Sequence, residues 1–343
     1  MAQINKHRNR KIAGIILATI TLSFLAFKVL RDPSDVSDFF EKSDTTLLLV
    51  LFLLQCASFT LNAITANLLL MYVGQKIKLL ESIKVSVMNK LGNKILPLVG
   101  GSVSSFVAYR RLGLPSSSII FTEIVSSALL FLQYFLFFSF GAIAVPRSYL
   151  SLVPRLALLV ISLGVGVITA FIFFLSRKEN SALLRKFIVK AIHFISLFFP
   201  IRIDREELDS KIELGGQEVR RDFSLFFSHK KRAFFIFFLF SVYFFIDVSM
   251  LAVAFHAFGV SLSIPLASLG LLLSLMLSLL TLFPGQPGVT ETSLVLVFTS
   301  FGIPAHSAIL ATLAFRVITY WMWLPLSMYF AVAHKKKEIT IST

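Results

Sequence analysis

Apolar residues run in long blocks along this chain. Short polar or charged connectors separate most of the blocks, while prolines and glycines interrupt two of them from within. A helix that crosses a bilayer needs about 20 consecutive, mostly apolar residues. By that measure the pattern predicts full spans at roughly 12–30, 46–73, 118–145, 154–175, 233–258 and 305–333. Two further apolar regions do not read as simple spans. Residues 86–108 carry Asn89-Lys90-Leu91-Gly92-Asn93-Lys94, then Pro97 and Gly100-Gly101. Residues 266–301 are broken by Phe283-Pro284-Gly285-Gln286-Pro287-Gly288. Proline and paired glycines stop helices. Unwound backbone at membrane depth has no lipid partner for its N–H and C=O groups, so it must be buried in protein or line a wet cavity. Each region is therefore expected to be a re-entrant helical hairpin. The predicted fold class is all-α: a polytopic membrane protein with about six full spans and two re-entrant hairpins.

The order span, span, hairpin, span occurs twice, which divides the chain into a first repeat at 1–145 and a second at 146–343. Three crossings per half is an odd number, so the second half is expected to be inverted relative to the first. Residue spacing supports the match. Pro97 and Gly101 correspond to Pro284 and Gly288, and Leu112-Gly113-Leu114-Pro115-x-x-Ser118 resembles Phe301-Gly302-Ile303-Pro304-x-x-Ser307. Broken segments at corresponding positions of two halves point to a transport site near the bilayer midplane. A half-helix that starts after such a break aims N–H groups and its positive dipole end inward, which attracts an anionic group such as a lipid phosphate. Lys90 and Lys94 either add positive charge beside the first break or snorkel to the interface.

Composition changes the picture only by excluding alternatives. Charged residues make up 15% of the chain and apolar ones 56%, with 37 phenylalanines. Soluble domains carry about a quarter charged residues, so a mean hydropathy of +0.83 belongs to a membrane chain. The net charge of +15 then reads as basic cytoplasmic loops rather than as nucleic-acid binding. Asp32, Asp35, Asp38, Glu41 and Asp44 crowd the first connector, whereas Lys76, Lys78 and Lys84 follow the second span. Arg177-Lys178 and Lys230-Lys231-Arg232 flank the long hydrophilic segment 176–232, and Lys335-Lys336-Lys337 follow the last span. These charges predict a cell-membrane protein with both termini and the long loop cytoplasmic. The first hairpin would enter from inside and the second from outside. The apolar run after Lys6, Arg8, Arg10 and Lys11 is too long for a signal core and lacks a small-residue cleavage pattern, so it is expected to be retained. Within the long loop, Leu208, Ile212, Val219 and Phe223 recur at helical spacing, predicting short amphipathic helices against the membrane surface. Cys56 stands alone, so no intrachain disulfide is expected.

Glu123, Asp247, Glu291 and Arg316 lie inside apolar runs. Charge at membrane depth is costly and is a functional pointer by default. Glu291 falls in the first turn after Gly288, where it either caps the helix, carries a proton or meets a headgroup. Arg316 is expected to pair with Glu291 or Asp247, or to grip a phosphate. Asn62, Asn67 and Gln133 read as hydrogen-bond glue between helices, and His256 as interfacial. The chain has no P-loop, HExxH pair or GxSxG elbow. An ATP-driven pump, a metalloprotease and a serine hydrolase lose ground accordingly, and no cofactor or metal is called for.

Asn93-Lys94-Ile95-Leu96-Pro97 with Gly101, and Pro284-Gly285-Gln286-Pro287-Gly288-Val289-x-Glu291 followed by Arg316-x-x-x-Tyr320-Trp321, resemble the lysylphosphatidylglycerol synthase transmembrane-region family. The likeness is clearest at about 85–145 and 265–330. It implies a flippase-type membrane domain. The family often shows a Gly-Glu pair followed closely by Arg after the first proline. Here Ser102 follows Gly101, and Ser105 stands where Arg would be expected. The chain ends some ten residues after the last expected span, which leaves no room for an aminoacyl-transferase domain. The resemblance therefore implies a stand-alone lipid-translocating domain rather than a synthase.

The expected lipid pathway comprises Asn89, Asn93, Lys94, Pro97, Gly101, Glu123, Asp247, Pro284, Gly288, Glu291 and Arg316. Its expected partners are anionic or polyprenyl-phosphate-type lipids, with a cytosolic or membrane enzyme as a possible second partner. A non-transporting lipid-binding scaffold for such an enzyme is the competing expectation. A membrane transferase using Glu123 or Glu291 as base is disfavoured, because neither has an evident nucleophile to activate.

Overall fold

Four of the expected spans are long helices in the computed structural model, which describes residues 43–95, 100–146, 163, 166, 218–219, 221–226, 228–280, 288–327 and 329–330. The expected span at 12–30, nearly all of 154–175, and Leu208, Ile212, Pro97 and Pro284 lie outside these residues, as does the side chain of Lys94. In chain order the helices are α1 (Thr45–Tyr72), α2 (Leu79–Ile95), α3 (Gly100–Arg111), α4 (Ser116–Ala144), α5 (Lys230–His256), α6 (Ile264–Leu280), α7 (Val289–Ser300) and α8 (Ala305–Thr319). A 3-10 turn at Trp321–Trp323 continues α8, so that its apolar span reaches Ser327. Helices α1, α4, α5 and extended α8 are long and apolar enough to cross a membrane. The shortest has 23 residues, about 34 Å of helix against a hydrocarbon core of about 30 Å. No strand occurs among the described residues. The protein is a multi-pass membrane protein.

The local sequence explains where these helices start and stop. Asp44 caps α1, its carboxylate accepting the N–H groups of Thr46 and Leu47 at 2.9 and 3.3 Å. The two Leu/Phe-Gly-x-Pro corners adopt one geometry. Gly113 and Gly302 have φ of +85° and +82°, a left-handed conformation that favours glycine. The following N–H closes back five residues, Leu114 to Tyr109 and Ile303 to Phe298, each at 3.2 Å. Pro115 and Pro304 then open α4 and α8.

Helices α2 and α3 form an antiparallel pair in register about position 97. Asn93 meets Gly101, and Asn89 meets Ser105. Helices α6 and α7 also pack together, with Gly270 under the ring of the buried Phe298, a pair symmetric about position 284. The first pair is longer than the sequence suggests, because its first arm begins at Leu79. Lys84 therefore lies on that arm, bound to Glu81 at 2.7 Å, rather than in a connector. Gly100 and Gly101 also depart from expectation. They form the buried first turn of α3 instead of breaking a helix. A Cβ on Gly92 would strike the Gly100 carbonyl, and one on Gly101 would strike Asn93, so these glycines serve close approach of the two arms.

Helices α1 and α5 run antiparallel. The Asp44 N–H donates to the Ala257 carbonyl at 2.9 Å at one end, and Arg232 lies 5.2 Å from the Tyr72 ring at the other. The main core joins them to α4, α6 and α7 through Leu51, Phe138, Phe240, Phe255, Leu269 and Phe298. The expected surface helix around Val219 and Phe223 is instead tucked into the bundle. Val219, Phe223 and Phe226 are core residues, and Phe223 meets Phe121 edge-on at 5.1 Å. Asp222 is buried beside Ser118, and burial raises its carboxyl above the usual range, partly offset by Arg221. Three large apolar side chains gain more by burial against protein than at a headgroup surface.

Candidate functional site: a cavity between the two helix pairs

All eight helices contribute to one cavity of about 440 Å³, with Asn62 on α1, Asn89 on α2, Ser102 on α3, Tyr243 on α5, Leu271 on α6 and Thr290 on α7 among its lining. Glu123 on α4 and Arg316 on α8 complete it. Its volume suits a small ligand or a lipid headgroup. Inside helices this apolar, polar groups seek one another, and here they form three networks.

The first network joins α1, α2 and α5. Asp247 accepts a hydrogen bond from the Ser58 hydroxyl at 2.6 Å, and Lys90 Nζ lies 3.1 Å from the same carboxylate. Lys90 also donates to Ser58 Oγ at 2.6 Å and sits 5.2 and 5.0 Å from the ring centres of Phe59 and Tyr243. Lys90 therefore points inward and does not snorkel. An ammonium against two ring faces and a carboxylate is well held electrostatically.

The second network links α2, α3 and α4. The Gly101 N–H donates to Asn93 Oδ1 at 2.9 Å, Asn93 Nδ2 to Asn89 Oδ1 at 3.4 Å, and Asn89 Nδ2 to Ser105 Oγ at 2.6 Å. Ser105 and Ser102 stand beside Glu123 on the cavity wall.

The third network lies at the other broken pair. Arg316 Nε donates to Glu291 Oε1 at 2.6 Å, and Glu291 Oε2 accepts the Gly288 N–H at 2.8 Å. Arg316 is 2% exposed and stacks on Tyr320, 4.8 Å away, while its Nη2 has no hydrogen-bond partner among the described residues.

Of the expected pathway residues, Asn89, Asn93, Glu123, Asp247 and Arg316 line the cavity. Glu291 stands behind Arg316, and Gly101 and Gly288 are not part of the wall. Arg316 chooses Glu291 over Asp247, and Glu291 caps its helix while it pairs. One expectation is corrected. The N–H groups of Gly101 and Gly288 are taken by Asn93 and Glu291, so neither is free for an anion. Each break leaves backbone donors that a nearby side chain satisfies at lower cost than an exchangeable ligand. Asn62 and Gln133 do join helices, donating to Ser86 at 2.8 Å and Ser241 at 3.0 Å. Asn67 donates to the Ile77 carbonyl.

Ser58, Tyr134 and Tyr243 escaped the sequence reading. A signal for them exists: Gln55, Ser58 and Asn62 form a polar stripe at helical spacing on α1, and Tyr243 lies one turn from Asp247 on α5. No group of three or more His, Cys, Asp or Glu side chains able to hold a metal occurs among the described residues. A comparison with curated proteins finds no match. Residues 12–327 match the model of the family described as the lysylphosphatidylglycerol synthase TM region, and the chain belongs to that family.

Proposed function

We propose that this protein moves a lipid with an anionic or phosphate-bearing headgroup between bilayer leaflets, with the central cavity as the headgroup site. The observation behind this reading is the convergence of two broken helix pairs on one cavity that holds charged and amide side chains within apolar, span-length helices. A stable structural core would fill such a space with side chains. Here Asn89, Lys90, Glu123, Asp247 and Arg316 surround it.

In this reading the chain crosses the membrane six times, and α2–α3 and α6–α7 are re-entrant hairpins. Residues 1–145 and 146–343 are inverted repeats. The antiparallel course of α1 and α5, the corresponding helices of the two halves, supports that inversion. Both termini face the cytoplasm of a cell-membrane protein, and the driving force is an ion or potential gradient.

Purified protein in vesicles, with leaflet exchange of labelled phosphatidylglycerol, modified phospholipids and polyprenyl phosphates followed separately, tests the proposal. Acceleration of at least one lipid, lost in Arg316→Gln, is expected. Folded protein that accelerates none would overturn it. A lipid-binding scaffold for a separate enzyme is the second reading, supported by Arg221, which is exposed beside the packed segment. It predicts that Arg221→Glu abolishes function in cells while Glu291→Gln spares it.

A further inference from the structure

Glu123 differs from every other charged group on the cavity wall. The titratable and charged side chains that share the cavity with it are Lys90 on α2, Tyr109 on α3, Tyr134 on α4, Tyr243 and Asp247 on α5, and Arg316 on α8. Lys90 is bound to Asp247, and Arg316 to Glu291. The tyrosines are neutral near pH 7. Ser102 and Ser105 stand beside Glu123, and no cation of the described residues is paired with it.

Two opposing influences act on this carboxyl. Removal from water without a counter-ion favours its neutral form. The hydrogen-bond network favours the anion. From the Gly101 N–H through Asn93 and Asn89, each donor points along the chain to Ser105, which stands beside Glu123. A carboxyl balanced in this way changes charge at little cost and is suited to exchange protons with water in the cavity.

We propose that Glu123 is the proton-carrying group of the transport cycle, so that lipid movement is coupled to a proton gradient. This rests on the transport reading above. As a carboxylate, Glu123 accepts from both Ser102 and Ser105 and ties the α2–α3 pair to α4. A proton from cavity water converts it to the neutral acid, whose hydroxyl is a donor. The protonated oxygen now donates, so a serine bond to that oxygen reverses or breaks, and the tie loosens. Return of the proton to water on the other side restores the carboxylate.

The test uses full-length protein in vesicles and two readouts. Infrared spectroscopy follows the carbonyl band of a protonated carboxyl as pH is raised. Leaflet exchange of labelled lipid is measured under pH gradients of either sign and under a sodium gradient. The wild type should show a titrating band that Glu123→Gln lacks and Glu123→Asp retains in shifted form. One pH unit should bias wild-type exchange by up to about tenfold, whereas Glu123→Gln should respond equally to both signs of gradient. A titrating band that survives in folded Glu123→Gln would overturn the proposal, as would exchange that follows sodium and ignores protons. If no lipid moves in the wild type, the transport reading fails, and the infrared band still decides whether Glu123 exchanges the proton.

Discussion

The two broken helix pairs share a sequence spacing but are held together by different chemistry. At α6–α7 the acid lies on α7 and the base on α8, and Glu291 is clamped between Arg316 and the Gly288 N–H. At α2–α3 the hydroxyls lie on α3 and the acid on α4, with two asparagines in place of an ion pair. The motif glycines differ as well. Gly288 has φ of +82° and open space where a Cβ would go, whereas Gly101 is buried against Asn93. One glycine is required by backbone conformation, the other by contact. The second pair therefore looks electrostatically locked, and the first is joined by bonds that a single proton can rearrange.

The strongest way to break this contrast is at Arg316. Removing one partner of a buried ion pair costs about 3–5 kcal/mol, because the other charge stays unpaired. Arg316→Gln should lose stability of that order in denaturant unfolding in detergent, and Arg316→Met with Glu291→Leu should recover most of it. A single-variant loss below about 1 kcal/mol would remove the distinction between the two pairs.

Next in size is Gly101→Ala, which forces a methyl into Asn93 and should cost about 1–3 kcal/mol by overpacking. A melting temperature equal to that of the wild type would show that the first pair has slack. Asn93→Ala should cost about 1 kcal/mol, the usual value of a lost helix cap, and should leave the Lys90–Asp247 link intact. A double-mutant cycle with Lys90→Met reads that independence, since coupling near zero is expected between groups that share no partner. The smallest effect is expected at Gly288→Asn, a few tenths of a kcal/mol, because asparagine tolerates the left-handed conformation. A larger loss from this substitution than from Gly101→Ala would reverse the assignment of the two glycines.

Much of this architecture was legible in the pattern of residues. The spans at Thr45–Tyr72, Ser116–Ala144, Lys230–His256 and Ala305–Ser327 follow the apolar blocks closely, because bilayer thickness sets helix length almost regardless of packing. The Gly-x-Pro corners repeat in structure as they do in sequence, since a left-handed glycine followed by proline leaves few backbone choices. Lys90 was not legible. A lysine near a break has two acceptable fates, and only the arrival of Asp247 from 157 residues away selects the inward one. Val219 and Phe223 failed for a similar reason, because an apolar helix face does not specify whether lipid or protein will cover it.

The chain's own sequence thus determined that it lives in a membrane, where its long helices lie, and at which two places they break. These are properties of local hydrophobicity and backbone freedom, and they need no knowledge of distant partners. Tertiary structure decided which acid holds which base, that the two freed glycine amides are satisfied internally, and that Glu123 stands beside hydroxyls and meets no cation among the described residues. In an apolar surrounding a buried charge takes the partner that geometry brings to it, and that geometry exists only after the helices have packed.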